Sequence, residues 1–189
     1  MVISAGPAPL PAPVPDHPPL ADWRLIGWLG GFAQLDGSKY GGIENGVAFQ
    51  YRYRWFVGGP LVAASAEPLS ASSYTVAATA GVGTRLGKQV RAQVLGVFGA
   101  HFHQNVGYEL LGNDNGADGT VPFAGARASM GYLFGKRFAH FELGAFVELD
   151  DDLTRRHITY EVDGASVTHV VGTSTVAFGI ELGGSHDVF

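Results

Sequence analysis

The chain has 189 residues, with 28 Gly, 10 Pro, no Cys and a net charge of -5. Only 15% of the residues are charged, against about 25% in ordinary soluble domains. No disulfide framework, thiol catalysis or cysteine-ligated zinc is possible, and the acidic balance argues against a nucleic-acid partner. From Gly6 to Pro19 the chain alternates Pro with small residues, which reads as a polyproline-II-like leader over residues 1–20. No basic start followed by an apolar run is present, so an export signal, if there is one, lies upstream or has been removed.

From residue 21 to 189 the pattern changes to period-2 alternation, the signature of strands. The first strand runs from Arg24 to Asp36, with Ile26, Trp28 and Phe32 on one face and Leu25, Leu29 and Leu35 on the other. The second is the clearest: Val47, Phe49, Tyr51, Tyr53 and Trp55 alternate with Ala48, Gln50, Arg52 and Arg54. Gly58-Gly59-Pro60 is expected to turn the chain into a third strand, Leu61 to Glu67. The fourth spans Tyr74 to Leu86 and ends at a Gly87-Lys88 turn. The fifth covers Gln89 to His103 and the sixth Val121 to Phe134. Gly135-Lys136 turns into the seventh, Arg137 to Asp150. The eighth ends near Leu182. Asp163-Gly164 looks like a hairpin tip, with Thr159–Val162 and Ala165–Val170 extending the last two strands into a protruding ribbon.

Eight strands with alternating short turns and long connections describe an all-β protein, an eight-stranded antiparallel up-and-down transmembrane β-barrel with its short turns in the periplasm. No run of about 18 apolar residues is present for a transmembrane helix. Most strands have one face nearly free of charge, and the other faces collect Arg52, Arg54, Arg91, Arg127, Glu142, Glu148 and Glu181. Alternation alone is equally consistent with a soluble lipocalin-like binder, whose charged face would meet water. Three features favour a bilayer. Overall charge is low. The charged positions are Arg-rich and balanced by Glu. Aromatic residues such as Trp23, Trp55, Tyr74, Tyr132, Phe134 and Phe138 gather near strand ends, where interfacial girdles sit. The seven charged residues then form a lumen network. Eight strands leave an interior just wide enough for side chains, so a fixed ion-pair network is expected ahead of a narrow pore.

Gly30-Gly31-Phe32-Ala33-Gln34-Leu35-Asp36 and Tyr51-Arg52-Tyr53-Arg54 resemble the OmpX/attachment-invasion family of small outer-membrane barrels. Tyr74 through Gly83, with Val94-Leu95-Gly96-Val97-Phe98-Gly99, resembles that family's middle hairpin. The resemblance covers roughly the first six strands. It implies an eight-stranded barrel with a hydrogen-bonded interior, protruding extracellular strands and a role in adhesion, resistance to host defence or envelope integrity. It supplies no catalytic residues and no cofactor. The expected location is a bacterial outer membrane, and the expected partners are the bilayer, lipopolysaccharide and an external protein engaged through loops by a monomeric barrel. One departure concerns the end of the chain. Such barrels close on a terminal Phe with apolar residues at alternate positions, whereas Ser185 and Asp187 alternate with Phe189 here. A bulge at Gly183-Gly184, or a strand ending at Leu182, is the expected explanation.

Other motifs carry weaker chemistry. His101 and His103 share a strand face about 7 Å apart near the extracellular rim. Loop polar groups or water can satisfy them; a metal pair or a catalytic base are the alternatives. A lipid-modifying hydrolase of this size would want Ser where His103 stands, and no Gly-x-Ser-x-Gly elbow is present. Asn113 to Gly119 has the composition of a calcium loop but lacks the distal Glu, so no metal is assigned. Asp150-Asp151-Asp152 and Arg155-Arg156-His157 form the base of the last long loop.

Overall fold

A computed structural model describes residues 20–35, 41–66, 72–104, 119–136, 139–154, 156–162, 165–171 and 174–188. Eight strands close into one antiparallel barrel in the order β1-β10-β7-β6-β5-β4-β3-β2. They are β1 (Ala21–Gln34), β2 (Gly41–Tyr53), β3 (Phe56–Ala66), β4 (Ser72–Leu86), β5 (Val90–Gln104), β6 (Gly119–Lys136), β7 (Ala139–Asp152) and β10 (Ser174–Val188). Between β7 and β10 the chain makes a separate two-stranded sheet, β8 (Arg156–Val162) and β9 (Ala165–Val171). This is the expected ribbon, although it does not continue the barrel ladder. Residues 1–19 of the expected leader (1–20), residues 113–118 of the Asn113 to Gly119 loop, Phe138 of the expected girdle, the Asp163-Gly164 tip, Arg155 and Phe189 lie outside the described residues.

Alternation decides which side chains meet across the lumen. Along β10, Ala177, Glu181, Ser185 and Asp187 are buried, while Phe178, Ile180, Leu182, His186 and Val188 are exposed. The exterior is apolar and the interior polar: buried Arg24, Arg52, Arg91, Glu142 and Glu181 contrast with half-exposed Leu25, Phe49, Val94, Leu143 and Val147. A soluble barrel has the opposite polarity. This surface needs a hydrocarbon surround. Aromatic residues collect where the short turns lie: Trp23, Tyr51, Tyr53, Trp55, Tyr132 and Phe134 all point outward.

Three expected turns move. The β2–β3 turn is Arg54-Trp55, because Tyr53 already pairs with Phe56. Gly58-Gly59-Pro60 lies inside β3 instead. Register is the same on either side of Gly59 and Pro60, with Ala48 opposite Leu61 and Tyr51 opposite Gly58. Pro60 only removes a donor from the ladder, which a strand tolerates locally. Gly59 is needed for space, since a Cβ there would meet the Phe49 carbonyl. The β4–β5 turn extends over Gly87, Lys88 and Gln89, closed by Leu86 opposite Val90. The β6–β7 connection falls at residues 137–138, since Lys136 still pairs with Ala139.

Arg54 has φ 55°, the left-handed region that a two-residue hairpin turn normally gives to Gly at its first position. Its amide donates to the Leu20 carbonyl at 2.7 Å, and its carbonyl accepts from Arg52 Nη1 at 2.7 Å. Such a residue carries strain of about 1 kcal/mol. Arg54→Gly is therefore expected to hold or raise barrel stability by up to about 1 kcal/mol, read as the urea midpoint of the folded species. A loss of 1 kcal/mol or more would show that the side chain holds the turn.

The last strand has no bulge. From Ala21 opposite Val188 to Gln34 opposite Thr175 its register with β1 is unbroken, and β7 pairs with it continuously from Asp151–Ser174 to Ala139–His186. Gly183 and Gly184 sit inside the strand. The outward parity set by Phe178, Ile180 and Leu182 continues to His186 and Val188. Ser185 and Asp187 therefore point into the lumen, where charge is expected.

Candidate functional site

The lumen is filled in layers. Nearest the short turns, Asp22 accepts from Arg52 Nε at 2.8 Å and Nη2 at 2.7 Å, with Arg85 Nη2 at 3.2 Å and Arg91 Nη2 at 3.3 Å. Asp187 pairs with Arg85 and takes His140 Nε2 at 3.1 Å. One layer up, Glu142 bridges Arg24 at 3.2 Å and Arg91 at 3.0 Å. Arg24 Nη1 donates to Gln93 at 2.8 Å, and Gln93 Nε2 donates to Gln50 at 3.2 Å. The space enclosed by Asp22, Arg24, Gln50, Arg52, Val57, Arg91 and Gln93 does not admit a water-sized sphere. Above it, Arg127 holds Glu148 at 2.8 Å and Glu181 at 2.9 Å. The Arg127 guanidinium also lies 4.4 Å from the Trp28 ring centroid and 3.8 Å from that of Phe146.

Next comes an apolar layer built from Trp28, Ala48, Leu61, Ala77, Val97, Phe123, Phe146 and Ala177. Glycines make room for its large rings: a Cβ on Gly46 would strike Trp28, and one on Gly30 would meet Phe146 at 3.1 Å. Buried charges are stable only when paired and hydrogen-bonded, and these layers pair them. Five arginines (24, 52, 85, 91, 127) face five carboxylates (22, 142, 148, 181, 187) in the ion pairs described above.

Of the seven charged residues expected in the lumen, Arg52, Arg91, Arg127, Glu142, Glu148 and Glu181 are buried there and brought into contact. Arg54 is not among them. It stands exposed in the turn, because the strand ends at Tyr53 and its alternation ends with it. Asp22, Arg24, Arg85, Asp187, Gln50 and Gln93 complete the network. Parity held the signal for Arg24 and Arg85, which share a face with Trp28 and with Thr75 and Thr79. Asp22 lay before the expected start of β1 and Asp187 beyond the expected end of β10.

His101 is at the outer mouth and faces inward. Its Nδ1 is 2.8 Å from Thr75 Oγ1, its Nε2 is 3.7 Å from Asp152 Oδ1, and its ring stacks on Phe123 with centroids 4.0 Å apart. Side-chain and aromatic contacts thus satisfy it, and its face is turned away from lipid. His103 pairs with Ser73 and Gly119 on the backbone, and its side chain lies outside the described residues. Trp28 Nε1 donates to Glu44 at 2.9 Å on the same side of the apolar layer. Among the described residues no group of three His, Asp or Glu is placed to hold a metal.

No protein-family model and no curated protein sequence matches the chain. Among solved structures it is similar to the neisserial surface protein A, with a TM-score of 0.53 at 11% identity over 89% of this chain and 96% of that one. Looser likenesses include Ail, the attachment invasion locus protein of Yersinia pestis (TM-score 0.43, 14% identity, 89% and 98% covered). Another is the β-domain of the Bordetella autotransporter BrkA (TM-score 0.42, 10% identity, 89% and 100% covered). At 11% identity the likeness to the neisserial protein is one of fold, and it agrees with the closed strand order and the apolar belt. The chain is an eight-stranded transmembrane β-barrel of the bacterial outer-membrane type.

Proposed function

We propose that the barrel is a rigid anchor that presents its outer connections, above all the β8–β9 ribbon, to partners outside the cell. The carrying observation is the layered, filled lumen. Charged pairs, then an apolar layer, occupy the path a solute would take, so transport is disfavoured and presentation remains. The ribbon supports this reading. Every barrel strand has a neighbour on both sides, whereas β8 and β9 pair only with each other among the described residues. Seven residues per strand make a ribbon about 20 Å long. Such a sheet edge invites pairing with an added strand. Adhesion or envelope support through this element is the role the architecture suits, with lipopolysaccharide around the outer rim.

The test compares the intact chain with a variant in which residues 156–171 are replaced by a short Gly-Ser turn. Both are expected to show heat-modifiable gel mobility and no single-channel conductance in planar bilayers. Bacteria displaying the intact chain should adhere to cultured epithelial monolayers above a vector control, and the ribbon-less variant should fall to that control. Stable conductance steps would replace this reading with a pore. Equal adherence by both variants would remove the ribbon from the account.

A further inference from the structure

One part of the outer wall is neither smooth nor wholly apolar. Strand pairing lines up Ile180, Leu29, Asn45, Ala64 and Tyr74 in a row across β10, β1, β2, β3 and β4, all on the outward parity. The next row towards the short turns holds Leu182, Gly27 and Val47. A groove of about 590 Å³ runs along these rows, with Gly27 and Ala64 as its floor. It climbs from Ile180, near the middle of β10, to Tyr74, the third residue of β4 at the outer end. Two of its residues lack a reason in the wall itself. A Cβ on Gly27 would find no atom nearer than the Gly46 carbonyl at 3.8 Å, whereas one on Gly30 or Gly46 would collide with its neighbours. Packing therefore does not require glycine at 27, and the notch it leaves faces lipid. Asn45 is the second. Ile43 and Val47 along its strand, and Leu29 and Ala64 across it, are all apolar. Hydrocarbon offers a carboxamide in that setting no partner.

We infer that this groove binds one acyl chain of an outer-leaflet glycolipid, lipid A, with the amide linkage of that chain on Asn45 and its tail towards Ile180. Three observations carry it. The first is continuity. The groove opens on the hydrocarbon-facing belt already described, so the bilayer supplies its occupant. The second is depth. Asn45 stands eight residues before Tyr53 on β2, about 20 Å above that periplasmic collar for a tilted strand. The apolar band of such a barrel is about 25 Å tall. Asn45 thus lies just beneath the outer interface, where the linkages between headgroup and acyl chain are found. The groove has the polarity of an amphiphile in that leaflet, with Asn45 and the Tyr74 hydroxyl at its outer end and only apolar groups at its inner end. The third is chemistry. A carboxamide both donates and accepts. So does an amide linkage, which joins some of the acyl chains of lipid A to its sugars, whereas the ester linkages of common phospholipids only accept. No Lys or Arg is among the residues that line the groove, so a phosphate is not what it reads. The inference does not depend on what the β8–β9 ribbon binds.

Binding is measured by native mass spectrometry on the full chain folded in detergent, with either lipid A or diester phosphatidylethanolamine added. The native chain is expected to retain one lipid A, and to bind it about three-fold to ten-fold more tightly than phosphatidylethanolamine, the worth of one hydrogen bond in an apolar medium. Asn45→Leu should bring lipid A down to the level of the phospholipid. Gly27→Leu fills the notch and should remove the lipid A adduct. Ala126→Leu is the control. It adds the same bulk to an outward position of β6, across the barrel from β2, and should leave the adduct in place. All three variants are expected to keep heat-modifiable mobility, since each side chain points away from the lumen. Equal retention of the two lipids by the native chain overturns the inference. So does a folded Gly27→Leu variant that keeps the lipid A adduct, or an Ala126→Leu variant that loses it. A lipid-free dimer of the native chain that Gly27→Leu dissolves would give the groove to a second copy, and overturns it too.

Discussion

Replacing Asp22 with Ala is expected to destabilise the barrel by about 3–5 kcal/mol, the range for breaking a buried ion pair from one side. Asp22 is 1% exposed, and its Oδ2 faces Arg52, Arg85 and Arg91 at 2.7–3.3 Å. Arg85 keeps Asp187 and Arg91 keeps Glu142 after the change. Arg52 loses the carboxylate that holds both its Nε and Nη2. Three like charges then face one another in a space with no room for water to solvate them. The urea midpoint of the fast-migrating, unboiled species reads the loss. A second variant keeps the claim specific. Asp22→Ala combined with Arg52→Met removes the exposed cost along with its cause, so the pair should be less destabilised than the two single changes added together, with a coupling of about 1–3 kcal/mol. A cost below about 1 kcal/mol for Asp22→Ala would mean that solvent reaches this layer and that the lumen is not the dry, filled column described above.

That network shows how far the residue pattern alone reaches. Parity along a strand says which side chains share a face, and it placed Arg52, Arg91, Arg127, Glu142, Glu148 and Glu181 together. It does not say how high each stands in the barrel. Arg24 on β1 meets Glu142 on β7 and Gln93 on β5 because of the stagger between strands, which is fixed by closure of the whole sheet and not by any one segment. Parity is also only as good as the strand ends. Extending the β2 alternation two residues too far, to Trp55, put Arg54 in the lumen, and the turn at Arg54-Trp55 was hidden because Gly58-Gly59-Pro60 is the stronger turn signal on composition. Those glycines answer a packing need: Gly59 admits the Phe49 carbonyl, and a Cβ on Gly58 would meet the Thr79 carbonyl at 2.9 Å. At the other end of the chain, a terminal Phe suggested the wrong parity for Ser185 and Asp187. The lipid-facing pattern of Val176, Phe178, Ile180 and Leu182 already carried the right one. The Thr75–His101 contact is a cross-strand pair of the β4–β5 hairpin and follows once the turn at residues 87–89 fixes the register, whereas the His101–Asp152 contact joins β5 to β7 past β6 and was not legible.

The outer wall gives the sharpest test of the inverted polarity. Ile180 lies near the middle of β10, 52% exposed, paired with Leu29 on one side and Ala145 on the other. In a soluble barrel an exposed apolar residue replaced by Arg changes stability by no more than about 0.5 kcal/mol, and solubility rises. In a bilayer the same change places a guanidinium against acyl chains. Ile180→Arg is expected to cost about 2–4 kcal/mol, the range for a cation near the midplane of a barrel wall. The change leaves every lumen contact in place, because Glu181, its inward neighbour, keeps its bonds to Arg127 and Arg24. Val188→Arg, at the short-turn end of the same strand, is the matched control. It sits at the headgroup level beside Trp23 and should cost about 0–1 kcal/mol. A large penalty at 180 with a small one at 188 traces the hydrocarbon profile along one strand. Equal, small penalties at both would mean that water bathes the wall, and the apolar face would then need a protein or ligand to cover it.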